Sequence, residues 1–163
     1  MPRKSKRTIS LIFTIATIMS TTAMIYSFSY YSGGYAALQT FNASISEFNV
    51  IEFNATHIHI ETILTLTNPS PQEFRALLFE QRTFLNGQFF TFTRPSEPSE
   101  YRPMQIPPQS STNVTIPTDV PPNKIEMFQE ITQRSWSTSI LVILDGPVIG
   151  RYSMTISRVI GTS

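Results

Sequence analysis

The chain changes its hydrophobic rhythm once. Residues 8–30, TISLIFTIATIMSTTAMIYSFSY, are apolar or hydroxyl-bearing almost throughout and carry no charge. A helix over this run is about 35 Å long, enough to cross a hydrocarbon core of ~30 Å. From residue 42 onward the period is two. Between Thr56 and Leu66, the residues Ile58, Ile60, Leu64 and Leu66 fall on one face, and His57, His59, Glu61 and Thr65 on the other. That alternation, with β-branched enrichment, predicts a half-buried strand. Ala43 to Phe53 reads as an earlier strand and Phe74 to Phe84 as a later one. Asn86-Gly87 predicts a tight hairpin that returns along Gln88 to Thr93.

The stretch from Thr93 to Gln109 holds Pro95, Pro98, Pro103, Pro107 and Pro108, a density no internal strand accepts, and reads as a long irregular crossing. Thr112 to Pro117 is a further strand. Asn123-Lys124-Ile125-Glu126 reads as an N-cap with its capping box. It opens a short helix to about Arg134, with Ile125, Phe128 and Ile131 at helical spacing. Ser137 to Leu144 and Val148 to Val159 form a last hairpin about Asp145-Gly146-Pro147. Seven strands separated by turn signals predict an all-β antiparallel sandwich, immunoglobulin-like or fibronectin-III-like in type, preceded by a single N-terminal transmembrane helix.

Charge orients that helix. Arg3, Lys4, Lys6 and Arg7 precede it with no acid among them. Of the 12 basic residues this leaves eight, against 11 acidic ones, so the remainder is mildly acidic at −3. A basic cluster before an apolar span places the N-terminus in the cytoplasm, and Tyr26, Phe28, Tyr30, Tyr31 and Tyr35 suit the interface at the far end. The expected plan is a basic cytoplasmic terminus (1–7), a transmembrane signal anchor (8–31), a linker with a flexible Gly33-Gly34 exit (32–41) and an exported sandwich (42–160). A cleavable signal peptide, cut near Thr21-Thr22-Ala23, fits the same residues, and both readings export the domain beyond residue 35. The acidic domain has no electrostatic footprint for nucleic acid. With no cysteine in the chain, thiol catalysis and Cys-based metal sites are excluded. Asn42-Ala-Ser44, Asn54-Ala-Thr56 and Asn113-Val-Thr115 are glycosylation acceptor sequences, in keeping with export.

The order of the turn motifs carries a resemblance. Thr65-Leu66-Thr67-Asn68-Pro69-Ser70-Pro71 closes a strand on Asn68-Pro69, Phe84-Leu85-Asn86-Gly87 makes a hairpin, and Ile106-Pro107-Pro108-Gln109-Ser110-Ser111 enters another strand. Over residues 42–160 this resembles the late-embryogenesis-abundant type 2 family, the water-stress and hypersensitive-response domain, in its membrane-anchored form. Its Asn-Pro-Asn turn is matched at Asn68 and Pro69, with Ser70 in third place, and segment 93–104 looks like an insertion. The resemblance implies a fibronectin-like sandwich with a role in desiccation or stress tolerance, and it brings no catalytic residues and no cofactor.

Candidate chemistry is sparse. His57, His59 and Glu61 share a strand face at roughly 6.6 Å spacing, a pattern that can hold zinc or copper. The plainer reading is a solvated polar face, and any further ligand must be an acid such as Glu47 or Glu52. A serine hydrolase needs a histidine beside Asp119 or Asp145, and no Gly-x-Ser-x-Gly stretch is present. Glu97 and Glu100 lie in the Pro-rich segment without an evident scaffold. Arg94, Arg102 and Glu100 there are candidates for meeting a partner. Phe89, Phe90 and Phe92 are candidates for the core or for a contact patch, and Trp136 for the core. Three functions stay open: a non-enzymatic, membrane-anchored stress or binding domain that contacts lipid or surface proteins, an accessory subunit of a membrane complex, and a metal-binding or enzymatic domain through His57 and His59.

Overall fold

The computed structural model describes residues 3–54, 57–146, 148 and 150–161, with side chains from residue 8 onward apart from 52–54. A long helix, α1 (Arg3–Thr40), leads into β1 (Asn42–Asn54), β2 (His57–Asn68), β3 (Phe74–Leu85), β4 (Gln88–Thr93), β5 (Met104–Ile106) and β6 (Ser110–Asp119). A short helix, α2 (Pro122–Glu130), then precedes β7 (Trp136–Gly146) and β8 (Gly150–Ile160). Every strand pairing is antiparallel. One sheet has the order β1-β2-β6; the other runs β4-β3-β7-β8, with β5 on β3.

The count is eight strands, not seven. The extra strand is β5, which uses the three residues between Pro103 and Pro107 to pair with Phe74–Ala76 at the start of β3. β4 covers the other end of the same edge, Gln81–Leu85. Proline density therefore does not forbid a strand here: three residues on a sheet edge need few ladder donors. The second helix differs too. It starts on Pro122, its N-cap is Pro121 with no side-chain hydrogen bond, and Asn123 lies inside the first turn. Proline at the first helical position supplies the required φ without a cap. The helix ends at Glu130, and Arg134 instead returns its guanidinium to the carbonyls of Ile131 and Phe128 and over the Phe128 ring.

Alternation builds the core. In β2 the inward series is Ile58, Ile60, Thr62, Leu64, Leu66 and Asn68, all buried. In β3 a register shift between Ala76 and Leu78 switches the phase: Phe74 and Ala76 face inward before it, Phe79, Gln81, Thr83 and Leu85 after it. The two sheets close on two apolar clusters. One, next to the end of α1, joins Phe41, Leu66, Phe74, Phe79, Ile116 and Val142. The other, at the far end, joins Ile60, Leu85, Phe90, Ile125, Phe128 and Trp136. Between them lies a buried polar belt in which Gln81 Nε2 donates to Thr62 Oγ1 at 2.9 Å and to Thr83 Oγ1 at 3.2 Å. Where the sheet edges β1 and β8 approach, Arg158 donates to the carbonyls of Ile45 and Ser46 at 2.7 and 2.8 Å. Those carbonyls are offered by a bulge in β1, so a charged side chain closes that flank.

Candidate functional site

Three places can bear function: the helix and its junction, the histidine face, and the strap over the five-stranded sheet. Thr8 to Tyr31 of α1 are exposed along the whole run, with Phe13 at 72% and Ile18 at 60%. Thr8–Thr40 is long and apolar enough to cross a membrane by length and composition. Three of its hydroxyls bond back within the helix: Thr14, Thr17 and Thr21 donate to the carbonyls of Ser10, Phe13 and Thr17 at 2.8–3.0 Å. Such back-bonding makes threonine tolerable in lipid.

The segment read as a linker is helical, and the glycine pair is no flexible exit. Gly34 and Ala37 are buried where the helix reaches the sandwich. A Cβ on Gly34 would stand 2.5 Å from Val148 Cβ, so only glycine allows this approach. Phe41 then packs at a tilt against Phe74, centroids 5.0 Å apart, and carries the chain into the core. Beside this junction sits the turn after β2. Buried Asn68 donates to the carbonyls of Gln72 at 2.7 Å and Pro107 at 2.9 Å, and accepts from Ser70 N at 3.2 Å and Ser70 Oγ at 2.7 Å. Ser70 Oγ in turn accepts from Gln72 N at 3.2 Å. Two motifs nearly forty residues apart thus meet on one side chain, and serine fits the third position because its hydroxyl caps the turn. At the opposite end Asn86 and Gly87 have φ of 50° and 78°, the left-handed pair that a two-residue hairpin requires. Asn86 also accepts from Ser135 N at 2.8 Å and donates to the Gln133 carbonyl at 3.0 Å.

On the outer face of β2 the structure brings Asp119 to the histidines. His59 and Asp119 are register partners, with Nδ1 2.8 Å from Oδ1, within hydrogen-bond distance. His57 Nε2 stands 3.9 Å from the same oxygen. Glu61 lies one row further along, between Asn49 and Pro117. Among the described residues no group of three or more histidines or acids is placed to hold a metal ion. Glu47 pairs with Ile63 further down β1, and the Glu52 side chain lies outside the described residues. Asp145 is an ion-pair partner of Arg75 across β7 and β3, not of a histidine.

The glycosylation candidates divide. Asn42 and Asn113 are exposed on the outer face of the β1-β2-β6 sheet, where Asn113 Oδ1 accepts from Thr65 Oγ1 at 2.9 Å. The Asn54 side chain lies outside the described residues. Phe90 is buried against Trp136, whereas Phe89 and Phe92 are exposed at 50% and 47%.

Residues 94–103 form a strap over the outer face of the five-stranded sheet, and here the carboxylates do have a scaffold. Glu97 accepts from Arg102 and Glu100 from Arg151 of β8, both at 2.8 Å. Ser99 and Arg102 exchange backbone hydrogen bonds at 3.1 and 3.0 Å. Under the strap lies a cavity of about 500 Å³ floored by Leu77, Leu78 and Ile143. The β3 bulge is what brings two successive leucines to this surface. Sequence reasoning missed this cavity; the only local hint was the run of adjacent aliphatics, Ala76-Leu77-Leu78, breaking the alternation of a strand.

No family model matches the chain, and no curated protein does. Solved structures do resemble it. AT1g01470 from Arabidopsis thaliana superposes with a TM-score of 0.57 at 17% identity, covering 74% of this chain and 79% of that one. At2g46140.1, described as a late embryogenesis abundant (LEA) protein, gives 0.56 at 12% identity, covering 90% and 89%. At these identities the likeness is one of fold.

Proposed function

We propose that this chain is a membrane-anchored, non-enzymatic β-sandwich protein with its sandwich outside the cytoplasm and a role in stress or desiccation tolerance. The observation that carries the anchor is the bare stretch of α1: an uncharged helical run with every side chain from Thr8 to Tyr31 exposed needs a covering, and the back-bonded Thr14, Thr17 and Thr21 suit lipid. The stress role rests on the fold likeness to a protein described as late embryogenesis abundant and on the turn motifs at Asn68-Pro69 and Asn86-Gly87. A fibronectin-III-like or immunoglobulin-like strand arrangement belongs to this reading. So do sugars at the exposed Asn42 and Asn113, where the host supplies the transferase. The sandwich would act through surface contact with lipid headgroups, surface polymers or neighbouring proteins.

The second reading, an accessory subunit of a membrane complex, asks the helix hydroxyls to bond a neighbouring helix. Cells lacking the protein are expected to lose viability under dehydration or osmotic shock and to recover it on re-expression. Unchanged survival sinks the stress role, and recovery of a stoichiometric partner in mild detergent would replace it with the second reading.

A further inference from the structure

The outer face of a sheet in a small sandwich is ordinarily polar, yet here Leu78 and Ile143 lie on it as neighbours, with Leu77 beside them and only 6% exposed. The strap covers these aliphatics without filling the space above them, which leaves the cavity of about 500 Å³. That volume falls in the range of small-molecule sites, and the division of its walls is that of such a site. The floor is aliphatic and the roof carries Pro95 and Pro98; the charged lining residues are Arg94, Arg151 and Glu100, two basic and one acidic. Arg94 forms an ion pair with Glu80, Nη1 3.7 Å from Oε1, a separation longer than a hydrogen bond. Arg151 is already bonded to a carboxylate, Glu100, at 2.8 Å. The protein therefore displays at this rim the interaction that an acidic ligand would make.

From this we infer that the cavity under the strap is a binding site for a small acidic amphiphile, with its apolar body on Leu77, Leu78 and Ile143 and its carboxylate on Arg151 and Arg94 in place of Glu100. Exchange of one carboxylate for another on Arg151 keeps the guanidinium satisfied while the strap carries Glu100 away. Tyr101, at the strap's crest and 95% exposed, would ride with it. The site is independent of the anchor, because no residue of α1 lines it.

The test uses the full chain in phosphatidylcholine nanodiscs, empty nanodiscs as reference, naphthoate as the acidic probe and naphthylmethanol as its neutral counterpart, with binding read by ligand-observed NMR titration. Arg151→Gln and Glu100→Gln both break the same exposed ion pair, so loosening of the strap moves both variants alike. Anion binding moves them oppositely. Naphthoate is expected to saturate the wild-type chain, to weaken by about 10-fold in Arg151→Gln and to tighten by roughly 2-fold or more in Glu100→Gln. Naphthylmethanol should respond to neither. Absence of saturable naphthoate binding above the empty discs, or a shift of the two variants in the same direction, overturns the inference.

Discussion

Asn68 shows how much of this fold rests on one buried amide. Its side chain is fully buried, bonds the carbonyls of Gln72 and Pro107, and accepts both the amide and the hydroxyl of Ser70. Asn68→Ala deprives several of these groups of a partner without admitting bulk water, and each orphan costs about 1–3 kcal/mol. We expect Asn68→Ala to lower unfolding stability by about 3 kcal/mol in a denaturant titration, and Ser70→Ala by about half that. A loss under about 1 kcal/mol would mean the turn holds without it. Tyr152 argues the opposite way. Its hydroxyl is buried with no hydrogen-bond partner among the described residues, and burial raises its pKa far above the ordinary value of 10.0. The folded state therefore holds the proton more tightly than the unfolded chain. The contribution is constant below about pH 10 and stability falls above it, as the unfolded tyrosine ionises while the folded one does not. Tyr152→Phe is expected to remove that alkaline decline and to gain up to about 1 kcal/mol at neutral pH, measured by denaturation across pH 7–11. An alkaline slope that persists unchanged in the variant would show that another group causes it.

Elements were legible where one local rule decided them. β2 could be read because its alternation runs unbroken from His57 to Asn68, and the β3–β4 hairpin because Asn86-Gly87 admits few other turns. β3 was legible as a strand but not by face. The bulge at Leu77 moves Gln81 and Thr83 inward and leaves Leu78 outside, and nothing local distinguishes that from an unbulged strand. The cavity beneath the strap results from this shift, so it was hidden for the same reason. β5 escaped because three residues between prolines carry no period, and Asp119 came to His59 through a register set sixty residues away. The end of α1 escaped because a glycine pair reads as a break, whereas here glycine is required by proximity. That gives a contrast to measure. Gly34→Ala puts a methyl 2.5 Å from Val148 Cβ, while Gly33→Ala meets only the flexible end of Gln72 at 3.5 Å. Overpacking of this kind costs typically about 1–3 kcal/mol, so Gly34→Ala should lift the helix end from the sandwich and speed amide exchange over residues 34–41. Gly33→Ala, which replaces a helical glycine, should leave exchange there equal or slower. Equal acceleration in both would show that the close approach to Val148 does not hold the junction.

At the scale of the whole molecule, charge, helix and sandwich make one directional statement that the absence of cysteine renders measurable. Arg3, Lys4, Lys6 and Arg7 precede the apolar run, and the domain beyond it is acidic on balance. The positive-inside rule predicts that the N-terminus stays in the cytoplasm and the sandwich crosses. Because the chain has no native thiol, one introduced cysteine reports alone. Tyr101→Cys lies on the strap at a position 95% exposed, where it disturbs no packing. Ser5→Cys lies in the basic segment at the other end of the span. In intact cells a membrane-impermeant maleimide should label Tyr101→Cys and leave Ser5→Cys unlabelled until the membrane is opened. The reverse pattern would invert the topology, and labelling of both in intact cells would remove the helix from the membrane. Replacing the four basic residues by glutamine should then give a mixture of the two orientations, because the helix has no other charge to orient it. A cleaved leader gives a different signature again: Tyr101→Cys would be labelled in the medium rather than on cells, and Ser5→Cys would be absent from the mature chain. The one substitution pair thus separates anchor, leader and inverted topology by where the label is found, without any assumption about what the sandwich binds.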